Sequence, residues 1–283
     1  MTNAAFPAGA KRQAAAVARS GATWIQWLAR IGFAARSVVY TVVGLLAAKL
    51  ALGDGGQTTD HVGAMRSLLR QPLGEAILVV LAVGFFGYAL WRMVQAFVDP
   101  EHRGTSAKGI ALRVSYAFRA AVYSVFGVQA VRMLAGDRVS GGGGEKEELT
   151  ARAMAAPAGP WLVGAIGAGL LAYAIYQLYR AWKAKIDRHL ELGGLSPRAE
   201  RTVVGISRFG IAARGVVFGA AGVLFIRAAL QHDPAEAGGI RDSLRLLLNQ
   251  PNGVWILAAV SIGLIAYGVY QALEARYRHI EPA

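Results

Sequence analysis

The sequence predicts an all-α integral membrane protein in which six transmembrane helices form three tandem two-helix repeats, gathered into a pseudo-three-fold bundle. Composition is the first reason: 55% of the 283 residues are hydrophobic and 17% are charged, with a mean hydropathy of +0.39, well away from ordinary soluble domains. Repetition is the second. Arg30, Gly32, Arg36, Tyr40 and Gly44 recur as Arg113, Ser115, Arg119, Tyr123 and Gly127, and again as Arg208, Gly210, Arg214, Phe218 and Gly222. Charge placement is the third: about two-thirds of the 30 Lys and Arg lie at the starts of odd hydrophobic runs or the ends of even ones, which the positive-inside rule assigns to the cytoplasm together with both termini.

The expected divisions are a basic tail and interfacial segment (1–28), repeats at 29–98, 99–185 and 186–275, and a short C-terminal tail (276–283). The N-terminal tail carries Lys11, Arg12 and Arg19 but no apolar stretch of the kind a cleavable signal needs. Trp24, Ile25, Trp27 and Leu28 follow as an amphipathic approach at headgroup height. The first span is expected over Ile31–Leu50, ended by Gly53-Asp54-Gly55-Gly56. Asp60 is placed to cap a short amphipathic helix carrying Val62, Met65, Leu68 and Leu69, expected to lie on the outer surface.

The second span, about Leu73–Phe97, has Pro72 in its first turn and then Gly74, Gly84, Tyr88, Trp91, Arg92 and Ala96. The same offsets return as Pro157, Gly159, Gly169, Tyr173, Tyr176, Gln177 and Ala181, and as Pro251, Gly253, Gly263, Tyr267, Tyr270, Gln271 and Ala275. Seven ungapped coincidences in three runs mark an internal repeat. The third span is expected over Val114–Leu134. The tetraglycine Gly141–Gly144 and a solvated Glu145–Glu148 helix start come next, and then a fourth span over Pro160–Trp182 that continues through Leu190. Ser196 and Pro197 read as the cap and first turn of a fifth helix that starts before the membrane and runs to about Leu230. Ile240, Leu244, Leu247 and Leu248 repeat the short outer segment, and the sixth span occupies about Val254–Leu273.

The opening ARIGFAAR at Ala29–Arg36, relaxed to SRFGIAAR at Ser207–Arg214, together with the Pro-x-Gly and Gly-x3-Tyr elements of the even runs, resembles a bacterial integral-membrane family. That family is built from three tandem copies of a two-helix domain of unknown function. The resemblance runs from about Ala29 to Ala275; the middle copy departs most, with Ser115 for the glycine and Phe118 for the second alanine. It implies the topology and a place in the bacterial inner (plasma) membrane, and it implies no activity.

Spacing by four puts Gly32, Arg36, Tyr40 and Gly44 on one helix face. Stacking the runs by height gives a candidate polar layer of Arg36, Arg119 and Arg214 with Arg92, Gln177 and Gln271, topped toward the membrane centre by Tyr40, Tyr123, Phe218, Tyr88, Tyr173 and Tyr267. Two readings of this layer stay open. It is a vestibule in which guanidinium groups hold an anionic ligand, or it is an ordinary belt in which arginines snorkel to lipid phosphate. The glycine stripes are read as helix-packing surfaces.

The net charge of +13 would point to nucleic acid in a soluble protein, but beside hydrophobic runs it fits anionic headgroups, so the expected partners are the bilayer and a small anionic solute. The absence of cysteine removes disulfide and thiolate chemistry. His61, His102, His189, His232 and His279 are scattered over loops and tails and read as solvated; no metal or other cofactor is expected. Acidic residues occur almost wholly outside the runs, leaving no acid–base pair, so no enzymatic activity is expected. The leading expectation is a permease or channel-like module for a small anionic or amphipathic solute; the alternative is a non-transporting scaffold or lipid-binding protein.

Overall fold

Long apolar runs with proline confined to their edges have only one way to satisfy their backbone in a bilayer without a closed barrel, and that is helix. The computed structural model describes residues 8–99, 104–137, 139, 144–183 and 196–277, and among these there is no strand. The helices are α1 (Ala8–Ala51), α2 (His61–Leu69), α3 (Gly74–Phe97), α4 (Ala107–Leu134), α5 (Gly144–Met154), α6 (Gly159–Lys183), α7 (Pro197–Gln231), α8 (Ile240–Leu248) and α9 (Gly253–Tyr277). Five of them contain stretches long and apolar enough to cross a membrane: α1 from Arg30, α3, α6, α7 and α9. The 28-residue α4 is long enough but carries Lys108, Arg113, Arg119 and Arg132, and falls outside that group.

Helix starts follow local chemistry. Asp60, Ser106 and Ser196 accept backbone hydrogen bonds from Gly63 (2.9 Å), Gly109 (3.2 Å) and Ala199 (3.4 Å), satisfying amides that the first turn leaves open. The even-numbered spans of the sequence start differently. Pro72 lies in the turn before α3 rather than in its first helical turn, because Leu73 adopts φ +62° and the helix begins only at Gly74. Asn252 repeats this at φ +59° before Gly253. A side chain on Gly74, Gly159 or Gly253 would run into the carbonyl of Leu69, Ala153 or Leu248, so the reversal requires glycine in all three copies.

The long helices pack in chain order around a ring: α1 on α3, α3 on α4, α6 on α7, α7 on α9, and α9 back on α1. The α4 and α6 helices of the middle repeat share no extended packing surface. Contacts between repeats (α3 with α4, α6 with α7, α9 with α1) are broader than those within a repeat. Gly127, Gly222 and Gly44, at one aligned position, sit at these three inter-repeat seams against Phe86, Gly167 and Ser261. The open side of the ring shows in burial: 22% of the most apolar stretch of α6 is buried, against 50–56% for the other four.

The short helix α2 does not lie on the outer surface. His61, Val62, Ala64 and Met65 are buried, because its small and apolar side chains fit among α1, α3 and α4. Its partner α8 is likewise drawn in through Ser243 and Leu244 against α7 and α9. The 35-residue α7 is about 52 Å long, beyond the ~30 Å of a hydrocarbon core, as its early cap predicts. The extension of α6 through Leu190, Gly141 to Gly143 of the tetraglycine, and the termini at 1–7 and 278–283 lie outside the described residues.

Candidate ligand site at the open seam

Each odd-numbered span of the sequence carries an arginine and, four residues later, an aromatic ring on the same face, while each even one brings a tyrosine to meet them. Two of the three arginines each donate to two tyrosine hydroxyls. Arg36 donates through Nη1 to the Tyr88 hydroxyl and through Nη2 to the Tyr267 hydroxyl, both at 2.9 Å. Its guanidinium lies 4.9 Å from the Tyr88 ring and 5.3 Å from the Tyr123 ring, and the residue is buried. Arg214 donates through Nε to the Tyr40 hydroxyl (3.1 Å) and through Nη1 to that of Tyr173 (2.7 Å), with the Phe218 ring 4.6 Å away. Tyrosine is suited to this duty because one face attracts the cation while the hydroxyl accepts a hydrogen bond.

Arg119, the aligned member of the middle repeat, has no hydrogen bond and no carboxylate partner among the described residues, and it is only partly buried. It stands on the wall of a cavity of about 720 Å³ between α4 and α6, within the ~300–1,000 Å³ that small-ligand sites occupy. Arg214, Tyr173, Tyr40 and Tyr123 also reach this cavity, so it opens onto the arginine and tyrosine cluster. The remaining wall is mostly apolar, with Val122, Val125, Phe126, Ile166, Leu170 and Phe225 along its length. Since α4 and α6 do not pack together, the cavity opens sideways between them, where Phe118, Val125 and Ile166 are exposed.

Of the other residues in the predicted layer, Arg92, Gln177 and Gln271 are buried. Arg92 donates to the Tyr88 hydroxyl (2.8 Å) and to Gln95 (2.7 Å), and Gln271 to Glu274 (3.0 Å). All three lie one turn beyond the tyrosines in sequence and do not line the cavity. The centre of the ring is filled with aromatic contacts: Tyr40 with Tyr267 at 4.7 Å, Tyr88 with Tyr123 at 4.6 Å and Phe33 with Tyr88 at 5.4 Å between ring centroids.

The solvated reading of His61 is overturned. It is buried, edge-on to Tyr40 at 4.9 Å and stacked on Phe126 at 4.6 Å, because α2 inserts into the bundle and carries it there. Together with Asp60, Val62 and Gly238–Ile240 it lines the cavity. The sequence marked none of these as part of a site, since they come from the starts of two short helices in different repeats and the turns before them. Arg113, aligned with Arg30, donates to the carbonyls of Ala96 (2.8 Å) and Phe97 (3.3 Å), satisfying the end of α3.

The comparisons with known proteins agree with the repeat. The Domain of Unknown Function DUF1206 matches three times in tandem, at residues 31–99, 114–184 and 209–278. The uncharacterised protein YxxB of Bacillus subtilis (strain 168) is 33% identical over 258 residues, which span 91% of this chain and 92% of that protein. No solved structure matches. The chain therefore belongs to the DUF1206 family, as a membrane protein of three tandem domains whose function is unknown.

Proposed function

We propose that the protein binds an anionic amphiphile taken sideways from the bilayer, with the headgroup on Arg119 and the apolar tail along the cavity between α4 and α6. One observation carries this reading. Among the described residues Arg119 is a guanidinium without hydrogen-bond or carboxylate partner on the wall of a largely apolar cavity, while its two counterparts each donate to two tyrosine hydroxyls. An intramembrane cation is costly unless paired, and a guanidinium pairs best with a carboxylate or phosphate through two parallel hydrogen bonds. The filled centre of the ring favours a lateral site over an axial channel. Permease activity would use the same cavity, which follows α4 from Ser115 to Gln129, about 21 Å at 1.5 Å per residue.

In this reading α4 also crosses the bilayer and brings the spans to six, the three repeats are related by a pseudo-three-fold axis along the membrane normal, and the arginine layer faces the cytoplasmic leaflet of the inner membrane. Catalysis has no part in it. Topology reporters fused after Asp60 and after Glu191 are then expected to report opposite sides, and a common side refutes the six-span arrangement.

Ligand binding is tested by titrating the purified protein with 11-(dansylamino)undecanoate in neutral detergent. Saturable fluorescence enhancement is expected, competed by lysophosphatidic acid if a phosphate head is accepted and not by it if the site takes only a carboxylate. Arg119→Gln is expected to weaken binding about tenfold or more, equivalent to about 1.4 kcal/mol. Non-saturable partitioning, identical in wild type and variant, overturns the proposal.

A further inference from the structure

The first and third repeats close the seam between their two spans with the same small residues. In the first, Gly32 and Ala35 of α1 lie on Gly84 and Tyr88 of α3; a methyl group on Gly84 would come within 2.7 Å of Ala35 Cβ, and one on Gly32 within 2.9 Å of the Gly84 carbonyl. In the third, a methyl on Gly210 of α7 would stand 2.6 Å from Tyr267 Cα and 2.8 Å from the Ala266 carbonyl carbon of α9, and Gly263 has no room for one beside Ala213 Cβ. Close approach of this kind is what small residues every fourth position permit.

The aligned residues of the middle repeat are Ser115 and Phe118 on α4 and Gly169 and Tyr173 on α6. A methyl on Gly169 would meet nothing within 4 Å, Phe118 is 69% exposed, and all four residues line the cavity. In the closed repeats the position of Phe118 holds a single methyl that already touches the glycine opposite. A phenyl ring cannot occupy that space, and in a close-packed interior the only relief is separation of the helices.

We infer that Ser115 and Phe118 wedge the middle repeat open and thereby make it the portal of the ligand site, the first and third repeats remaining closed struts. Gly169 then serves a purpose opposite to that of its counterparts. Gly84 and Gly263 are glycine so that a helix can approach; Gly169 is glycine where the cavity wall must stay clear. The inference rests on the amphiphile reading for what enters, while the wedge is a statement about packing alone.

The chain contains no cysteine, so spin labels can be placed at Val125→Cys and Ile166→Cys, exposed positions on opposite walls of the cavity, without removing native thiols. In the labelled background, Ser115→Gly with Phe118→Ala is expected to shorten the inter-label distance distribution measured by pulsed electron resonance, and the same pair in the unlabelled protein is expected to reduce dansyl-undecanoate binding at least tenfold. Phe118→Ala alone provides the same distance readout should the double variant fold poorly. Gly169→Leu is expected to keep the distance and the melting temperature of the wild type while losing binding, because its side chain fills the cavity. An unchanged distance in both wedge variants overturns the wedge. A shortened distance in a protein whose wild type shows no saturable binding supports the wedge and overturns the amphiphile reading instead.

Discussion

Gly263→Ala is expected to lower the melting temperature of the protein clearly, while Gly169→Ala at the aligned position of the middle repeat leaves it unchanged or raises it. The two glycines share one sequence context, Gly-x3-Tyr, and differ only in what stands opposite. At Gly263 the added methyl collides with Ala213 Cβ and forces α9 away from α7; at Gly169 it meets nothing within 4 Å. Overpacking a close helix contact costs about 1–3 kcal/mol. In open space the same change gains roughly 0.5–1 kcal/mol, because alanine loses less backbone entropy than glycine on entering a helix. Thermal unfolding of both variants in one detergent checks the prediction, and equal shifts would remove the basis for separating the seams.

The arginines divide in the same way. Arg36→Ala is expected to destabilise the fold by about 2–4 kcal/mol, combining a lost charge-assisted hydrogen bond to each of two tyrosines with the void left behind. Arg119→Ala is expected to stay within about 0.5 kcal/mol of wild type, as for side chains that hold nothing in place. Arg36 bridges Tyr88 of its own repeat and Tyr267 of the third, so its removal loosens two helix seams at once. Arg36→Lys is not expected to rescue stability, because one ammonium cannot span two hydroxyls presented to a planar fork. Denaturation of the three variants, monitored by tryptophan fluorescence, distinguishes them; similar losses for Arg36→Ala and Arg119→Ala would count against the assignment of Arg119 to a ligand.

A large share of this architecture follows from local patterns. The 3.6-residue period places Arg36 with Tyr40, and Arg214 with Phe218, on single faces, and the offsets in the even runs bring Tyr88, Tyr173 and Tyr267 to matching heights. Capping by Asp60 and Ser196 is readable because the bonds are made within three residues. His61 was not readable in this way. An imidazole beside a polar loop looks solvated until the short helix it begins is seen to enter the bundle and set it between Tyr40 and Phe126. Nor does sequence height tell Arg119 from Arg36, since both belong to one motif at one depth.

By itself, then, the sequence determined the tandem repeat, the helices, their capping and the layer of arginines facing tyrosines, because each depends on residue type and spacing along one chain segment. Tertiary structure alone decided which arginine is satisfied and which copy stands open. Those outcomes depend on whether two helices of the same repeat touch, and that is settled across the seam, where Ala213 against Gly263 lets α7 meet α9, while α4 and α6, with Phe118 and Gly169 at the aligned positions, stand apart.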